Sequence, residues 1–154
     1  MAKQSSGILL FRRDPDGLRF LLVKPGGPFF ARRGGDPIWG IPKGEFDPDS
    51  ESPEAAAERE FSEELGPAAP ELGSLMPLGT VKQGSKVIHG FAAQGDFDTS
   101  LLQSNTFDLE FPRGSGKVTS YPEIDEAGWY DIQEVEVFMK PEQRALVERL
   151  MALI

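Results

Sequence analysis

The sequence predicts an α/β protein, an α/β/α sandwich built around a mixed β-sheet, and the order of its elements is the basis of that prediction. Short apolar runs typical of strands come first, a single acidic helix follows them, and further strands precede a final amphipathic helix. Such an order is typical of a layered domain in which helices pack on a sheet. Because no repeat, low-complexity segment or linker interrupts the chain, one domain is expected over residues 1–154.

The N-terminal third is expected to form two strands, a loop and a third, short strand. Ser6–Arg12 and Leu18–Val23 are apolar runs separated by the turn signal Asp-Pro-Asp-Gly of residues 14–17, which predicts a pair of strands. Residues 24–37 are rich in Gly and Pro and are predicted to be a loop. A short strand is expected over Ile38–Ile41.

The central helix is predicted to run from Pro53 to Leu65. Ser52 is a favourable N-cap, and Pro53 suits the first helical position because its missing N–H would have no partner there. Gly66 followed by Pro67 is a clear stop signal. Both ends of this helix are therefore predicted from local signals alone.

The second half of the chain is expected to contain more strands and a last helix. The predicted strands are Leu75–Val81 and Lys86–Gln94, which form a hairpin, then Thr106–Phe111, Lys117–Tyr121 and Gly128–Tyr130. The last helix is predicted within Pro141–Ile154, where the apolar stripe that would pack on the sheet comprises Leu146, Val147, Leu150, Met151 and Ile154.

Composition excludes several classes of protein. No apolar run is long enough to cross a membrane as a helix, and the absence of cysteine excludes disulfides and fits a cytoplasmic location. The net charge of −9 argues against a general nucleic-acid binder, because such proteins need a basic surface. The charge is uneven, since residues 1–50 carry +2 (eight basic, six acidic) and residues 51–154 carry −11 (eight basic, nineteen acidic).

Three glutamates on one face of the central helix predict a metal site. Glu60, Glu63 and Glu64 are spaced i, i+3 and i+4, so at ~100° per residue they share one face. Like charges at this spacing destabilise an isolated helix by roughly 0.2–0.5 kcal/mol per pair. Their presence together favours a bound divalent cation, and carboxylate oxygens favour Mg²⁺ or Mn²⁺.

The segment around these glutamates resembles the Nudix box, whose pattern is G-x5-E-x7-R-E-U-x-E-E-x-G-U with U a bulky apolar residue. The matching positions are Gly44, Glu51, Arg59, Glu60, Phe61, Glu63, Glu64 and Gly66. Two positions depart from the pattern: six residues separate Gly44 from Glu51, and Pro67 occupies the last apolar position. The preceding WGIPKG run, residues 39–44, resembles the lead-in to the box in diadenosine polyphosphate hydrolases of the family.

The resemblance implies a Nudix-type α/β/α fold and a set of site residues. It implies that Glu60, Glu63 and Glu64 bind Mg²⁺ or Mn²⁺ and that Arg59 orients these ligands. Gly44 would allow the backbone to approach the metal or a phosphate closely. The general base is left open among the box glutamates and Glu123, with Glu126 and Glu110 as further candidates; each of these last three is also consistent with an ordinary surface carboxylate.

Basic residues are the candidate phosphate contacts. Lys43 precedes the first box glycine, Arg32 lies in the Gly-rich loop, and Arg113 opens a Gly-Ser-Gly turn. Each is also consistent with an exposed lysine or arginine in a loop.

The resemblance favours a metal-dependent hydrolase of a dinucleoside polyphosphate or nucleoside triphosphate. Nucleotide sugars and oxidised nucleotides are alternative substrates, because the box recognises the diphosphate and not the group attached to it. A catalytically silent nucleotide sensor is the alternative from another class, which the retained glutamates disfavour. The expected partner is therefore a nucleotide-type small molecule, with neither nucleic acid nor membrane, and the oligomeric state is left open.

Overall fold

The structure is a computed structural model that describes residues 2–30 and 36–154. The described part of the chain contains strands β1 (Gln4–Asp14), β2 (Gly17–Pro25), β3 (Lys43–Glu45), β4 (Met76–Gln83), β5 (Lys86–Gln94), β6 (Thr106–Glu110), β7 (Val118–Pro122) and β8 (Ile124–Tyr130), and helices α1 (Pro53–Leu65), α2 (Ile132–Phe138) and α3 (Arg144–Leu153). None of the helices in these ranges is long and apolar enough to cross a membrane.

The main sheet is mixed, as predicted. Its strands follow the order β4-β5-β1-β2-β8, and β3 pairs with the first part of β1. Strands β1 and β5 run parallel, whereas the other pairs in this sheet are antiparallel. Strands β6 and β7 form a separate antiparallel hairpin.

Helices cover both faces of the sheet, which confirms the predicted α/β/α sandwich. Ile8 and Leu10 of β1 pack in the core that contains the buried residues of α1. Leu9 and Phe11 point to the opposite core, which contains the buried face of α3. Because successive strand residues face opposite sides, a strand buried on both sides reads as an unbroken apolar run.

Helix α1 has the bounds predicted from its caps. The Ser52 hydroxyl oxygen accepts a hydrogen bond from the backbone N–H of Ala55 at 3.1 Å. Gly66 has φ +91°, and its N–H donates to the Ser62 carbonyl at 2.8 Å. Phe61 and Leu65 of this helix are fully buried, so their packing fixes the orientation of α1 and hence the direction in which its glutamates point.

The strand expected at Ile38–Ile41 is displaced towards the box. Trp39 and Gly40 form only isolated bridges, and the regular strand is Lys43–Glu45. Proline lacks an N–H but keeps a carbonyl, and the Pro42 carbonyl accepts from the Ile8 N–H at 3.2 Å, so pairing with β1 continues past this residue.

Three further corrections concern the C-terminal third. Helix α2 was not predicted, although Asp131 and Glu134 form a complete capping box at its start. The predicted last helix begins as a 3₁₀ turn, Pro141–Gln143, before α3. The predicted apolar stripe was wrong for Met151 and Ile154, which are each 40% exposed near the C-terminal end of α3.

Candidate active site

A cleft of about 220 Å³ opens beside β3 and the C-terminal half of α1. Four charged side chains reach it from different parts of the chain. The residues that line it are Val23, Pro25, Ile38, Gly40, Ile41, Lys43, Glu64, Glu123, Ile124, Lys140 and Gln143. The cleft therefore has apolar walls from β2 and the following loop, with a few carboxylates and ammonium groups, a composition typical of ligand sites.

The Glu60 carboxylate packs directly against the backbone of Gly44. A Cβ atom added at Gly44 would lie 2.0 Å from Glu60 Oε2, so no side chain fits there while Glu60 keeps this position. Glu60 is buried, and this burial raises the pKa of its carboxyl group even though Arg59 opposes the shift. Glycine is thus required at position 44 by the close approach of the Glu60 carboxylate to its backbone.

Glu64 links α1 to β3. Its Oε1 accepts a hydrogen bond from the Lys43 backbone N–H at 2.7 Å. Burial raises the pKa of the Glu64 carboxyl group to about 8, because the charged form loses its hydration. Burial also lowers the pKa of the Lys43 ammonium group to about 8, with Lys86 and Lys140 acting in the same direction. Burial thus opposes the charged form of both groups.

Arg59 holds three of the box glutamates. Its guanidinium donates to Glu51 Oε1 from Nε at 3.1 Å, to Glu60 Oε1 from Nη1 at 2.9 Å, and to Glu63 Oε2 from Nη1 at 3.2 Å. The bond from Arg59 to Glu51 lowers the pKa of the Glu51 carboxyl group.

The donor types at this site fit a hard divalent cation, although its ligands are not assembled. Within residues 2–30 and 36–154, no three acidic or histidine side chains are arranged to hold a metal ion. Glu60 and Glu63 are instead bonded to Arg59, and Glu64 to the Lys43 amide. Arg59 supplies one positive charge to the three carboxylates that it bonds, so a formal charge of −2 (one minus three) remains to attract a cation.

Among the other carboxylate candidates, only Glu123 lines the cleft. Its backbone is fixed between two loops, since its N–H donates to Asn105 at 2.8 Å and its carbonyl accepts from Gly26 at 3.0 Å. Its charge contributes to the raised pKa values of the Glu60 and Glu64 carboxyl groups, so it lies near both.

Glu126 and Glu110 lie elsewhere. Glu126 is paired with Lys24 in the β2–β8 register, and Glu110 accepts a hydrogen bond from Gly114 in the β6–β7 hairpin. Neither side chain lines the cleft.

The three predicted phosphate contacts do not share one location. Lys43 lines the cleft, whereas Arg113 is exposed in the turn between β6 and β7 and does not. Arg32 lies outside the described residues.

Sequence reasoning missed Lys140 and Gln143, which reach the cleft from the connection between α2 and α3. The Gln143 side chain is buried and accepts from the Ile41 N–H at 3.0 Å. Pro141 marks a break between helices, but no local signal connects this segment to the box about 80 residues earlier.

The fold and the cleft together define a class, a mixed-sheet α/β/α protein with a helix-borne carboxylate cluster beside a lysine. The model of the NUDIX domain family matches residues 2–150, and the chain belongs to that family. Membership supports hydrolysis of pyrophosphate bonds as a general activity.

Solved structures agree with this assignment of the fold. The chain is similar to a C. elegans Ap4A hydrolase in a binary complex, at 20% identity and TM-score 0.66, over 97% of this chain and 96% of that one. It is also similar to the NUDIX domain of Shewanella oneidensis NrtR complexed with ADP ribose, at 17% identity and TM-score 0.64, over 99% and 88%.

A mutT/nudix family protein from Listeria innocua gives 21% identity and TM-score 0.62, over 98% and 92%. At these identities the likeness shows the fold alone. A comparison with curated proteins gave no match.

Proposed function

We propose that this protein hydrolyses a pyrophosphate bond in a nucleoside polyphosphate, either a dinucleoside polyphosphate or a nucleoside triphosphate, with a divalent metal ion. The observation that supports this most directly is the packing of Glu60 against Gly44, beside Glu64 and close to Lys43. This packing places carboxylates, which attract a cation, beside an ammonium group, which attracts phosphate.

Glu60, Glu63 and Glu64, together with the backbone at Gly44, would hold Mg²⁺ or Mn²⁺. When bound, such an ion neutralises charge on phosphate oxygens and positions them. Arg59 would release Glu60 and Glu63 to the ion while retaining Glu51, which bonds to both its Nε and its Nη2.

The chain's own groups would perform the rest of the reaction. Lys43 would bind a phosphate oxygen, since lysine acts as a point charge for phosphate. Hydrolysis joins a water oxygen to phosphorus and breaks the bridging P–O bond, and a carboxylate accepts the proton that the water loses. Glu123 is the proposed base outside the box, because it lines the cleft and its charge acts on Glu60 and Glu64.

A nucleotide sensor is the second candidate function, favoured by one observation. The ion pairs of Arg59 occupy two of the three proposed ligands, so the carboxylates are stabilised without metal. The similar NUDIX domain of NrtR is complexed with ADP ribose, a nucleotide-type ligand. In this alternative, the cleft binds a nucleotide without turnover.

Turnover of a substrate panel separates the two candidates. Dinucleoside polyphosphates, nucleoside triphosphates, oxidised triphosphates and nucleotide sugars would be incubated with Mg²⁺, with Mn²⁺ and with EDTA, and released phosphate and nucleotide measured. We expect metal-dependent turnover of one of the first two classes. Binding without turnover across the panel would favour the sensor.

The Glu63→Gln variant tests the metal ligands. Its side chain is partly exposed, so we expect little change in stability but a loss of about 100-fold or more in kcat. Glu58→Gln, on an exposed position of the same helix, is the matched control and should retain wild-type turnover. Equal activity of the two variants would rule out Glu63 as a metal ligand.

A further inference from the structure

Lys140 lines the cleft, but neither the box resemblance nor the sequence pattern gives it a role. It lines the same cleft as Lys43 but comes from the connection between α2 and α3. Its backbone N–H donates to the Trp39 carbonyl at 2.8 Å, next to the parallel bridge between Trp39 and Met139. The backbone of Lys140 is therefore fixed to the segment that leads into β3.

The surrounding turn adds to this restraint. The Lys140 carbonyl accepts from the Gln143 N–H at 3.0 Å, and Arg144 Nε donates to the Met139 carbonyl at 2.9 Å. The Gln143 side chain also bonds to the segment before β3, because its Oε1 accepts from the Ile41 N–H. A residue held by this many contacts presents its side chain from a defined place, which a specific ligand contact needs.

The two lysines enter the cleft from different backbone segments, and we call the part reached by Lys140 its far end. Lys43 lies at the carboxylate end, because its backbone N–H donates to Glu64. Lys140 is anchored at Trp39, four residues upstream, so the two anchor points are separated by at most ~14 Å of backbone. From these two anchor points, both side chains reach the same cleft.

Two lysines that line one cleft favour an anion between them. Lys43 and Lys140 are both among the lining residues, so two ammonium groups of like charge share this cleft. An anion that contacts both would offset the repulsion between them.

The size of the cleft indicates which part of a substrate it takes. At about 220 Å³ it is smaller than the ~300–1,000 Å³ typical of pockets that enclose an organic ligand of drug size. It suits a chain of phosphates better than a complete nucleotide, whose base would lie outside.

We propose that Lys140 contacts a phosphate group one or more positions further along the chain than the phosphate bound by Lys43, and thereby sets a preference for longer phosphate chains. This inference rests on the proposed function, since it names the part of the substrate that the cleft recognises. Lys140 is a specificity residue in this account, because the bond that breaks lies at the carboxylate end.

The kinetic test compares Lys140→Met with wild type on nucleoside di-, tri- and tetraphosphates that share one base. The methionine keeps a long apolar side chain but removes the charge. We expect kcat/KM for the tetraphosphate to fall about tenfold, mainly through KM, with a smaller loss for the diphosphate. Lys140→Arg should retain most of the preference, and Lys82→Met, at an exposed position of β4, should match wild type.

A binding test keeps the inference separate from turnover. Inorganic triphosphate and pyrophosphate would be titrated calorimetrically into each variant with EDTA present. We expect Lys140→Met to bind triphosphate about tenfold more weakly and pyrophosphate with little change. If wild type binds triphosphate selectively but hydrolyses nothing, the proposed function fails while this inference stands. Equal losses for both anions, or none, would overturn the inference.

Discussion

The box helix and the α2–α3 connection deliver side chains to one cleft by different means. Helix α1 has its ends set by neighbouring residues, Ser52 at the start and Gly66 at the stop. The connection that carries Lys140 is positioned by contacts with Trp39 and Ile41, about 100 residues away in sequence. Local sequence signals therefore encode the carboxylate end of the cleft, whereas tertiary packing encodes its far end.

The largest expected effect comes from Gly44→Ala, which tests the carboxylate end. The added Cβ would lie 2.0 Å from Glu60 Oε2, and this atom ends a flexible side chain, so the carboxylate is displaced while the backbone is retained. We expect kcat/KM to fall about 100-fold or more, and the free energy of unfolding by less than about 1.5 kcal/mol.

Steady-state kinetics and thermal unfolding measure the two effects of this substitution. Gly73→Ala is the matched control, because a Cβ atom added there meets nothing within 4 Å. Wild-type kinetics for Gly44→Ala would show that the position of Glu60 does not matter for activity.

The two ends of the cleft differ in how much of their structure can be predicted from the sequence. The caps of α1, the order of its glutamates and the paired strands β1 and β2 were predictable, because each depends on neighbouring residues or on a simple period. The sandwich was predicted from the order of the elements and the family from the resemblance to the Nudix box, and both predictions are confirmed. The pairing of Arg59 with three glutamates at once required the folded geometry.

The far end of the cleft was not predictable by such reasoning. Gln143 acquires its role only when its side chain meets the Ile41 N–H, and nothing near Gln143 in the sequence identifies that partner. Strand β3 was misplaced for a similar reason, since pairing with β1 continues past Pro42 through its carbonyl. Long-range pairing of this kind lies outside periodicity and capping rules.

Gln143→Leu tests the tertiary positioning of the far end. The substitution leaves the buried Ile41 N–H without its side-chain acceptor, and also removes the bond to Gln83. We expect the free energy of unfolding to fall by about 2 kcal/mol, measured by urea denaturation. Gln133→Leu, at an exposed position of α2, should change it by less than about 0.5 kcal/mol. Equal stability of the two variants would mean that Gln143 does not anchor this connection.

Glu64→Gln tests whether burial of a carboxylate at this end of the cleft lowers the stability of the fold. The pKa of the folded Glu64 carboxyl group is about 8, against an ordinary value of 4.5, so between these values the folded state binds more protons than the unfolded state. The free energy of unfolding should therefore fall as pH rises from 4.5 to 8. Without metal, the variant should lose this dependence and exceed wild type by on the order of 2 kcal/mol at pH 8.

Chemical unfolding in EDTA across this pH range measures the Glu64 effect. Glu58→Gln, exposed on the same helix, is the control and should keep the wild-type slope. The same slope in Glu64→Gln as in wild type would mean that Glu64 does not titrate in this range.

The smallest expected effect is that of Ser52→Ala, which tests whether local capping serves the helix and not the reaction. The substitution removes the acceptor for the Ala55 N–H at the start of α1, and loss of an N-cap costs about 1 kcal/mol. Thermal unfolding should show this loss, Ser52→Asp should restore stability, and Ser74→Ala, at an exposed position before β4, should have no effect. Because Phe61 and Leu65 still fix the orientation of the helix, kcat/KM at 25 °C should stay within about twofold of wild type. A large loss of activity would instead mean that the helix start also positions the glutamates, so that the carboxylate end depends on its caps for geometry as well as for stability.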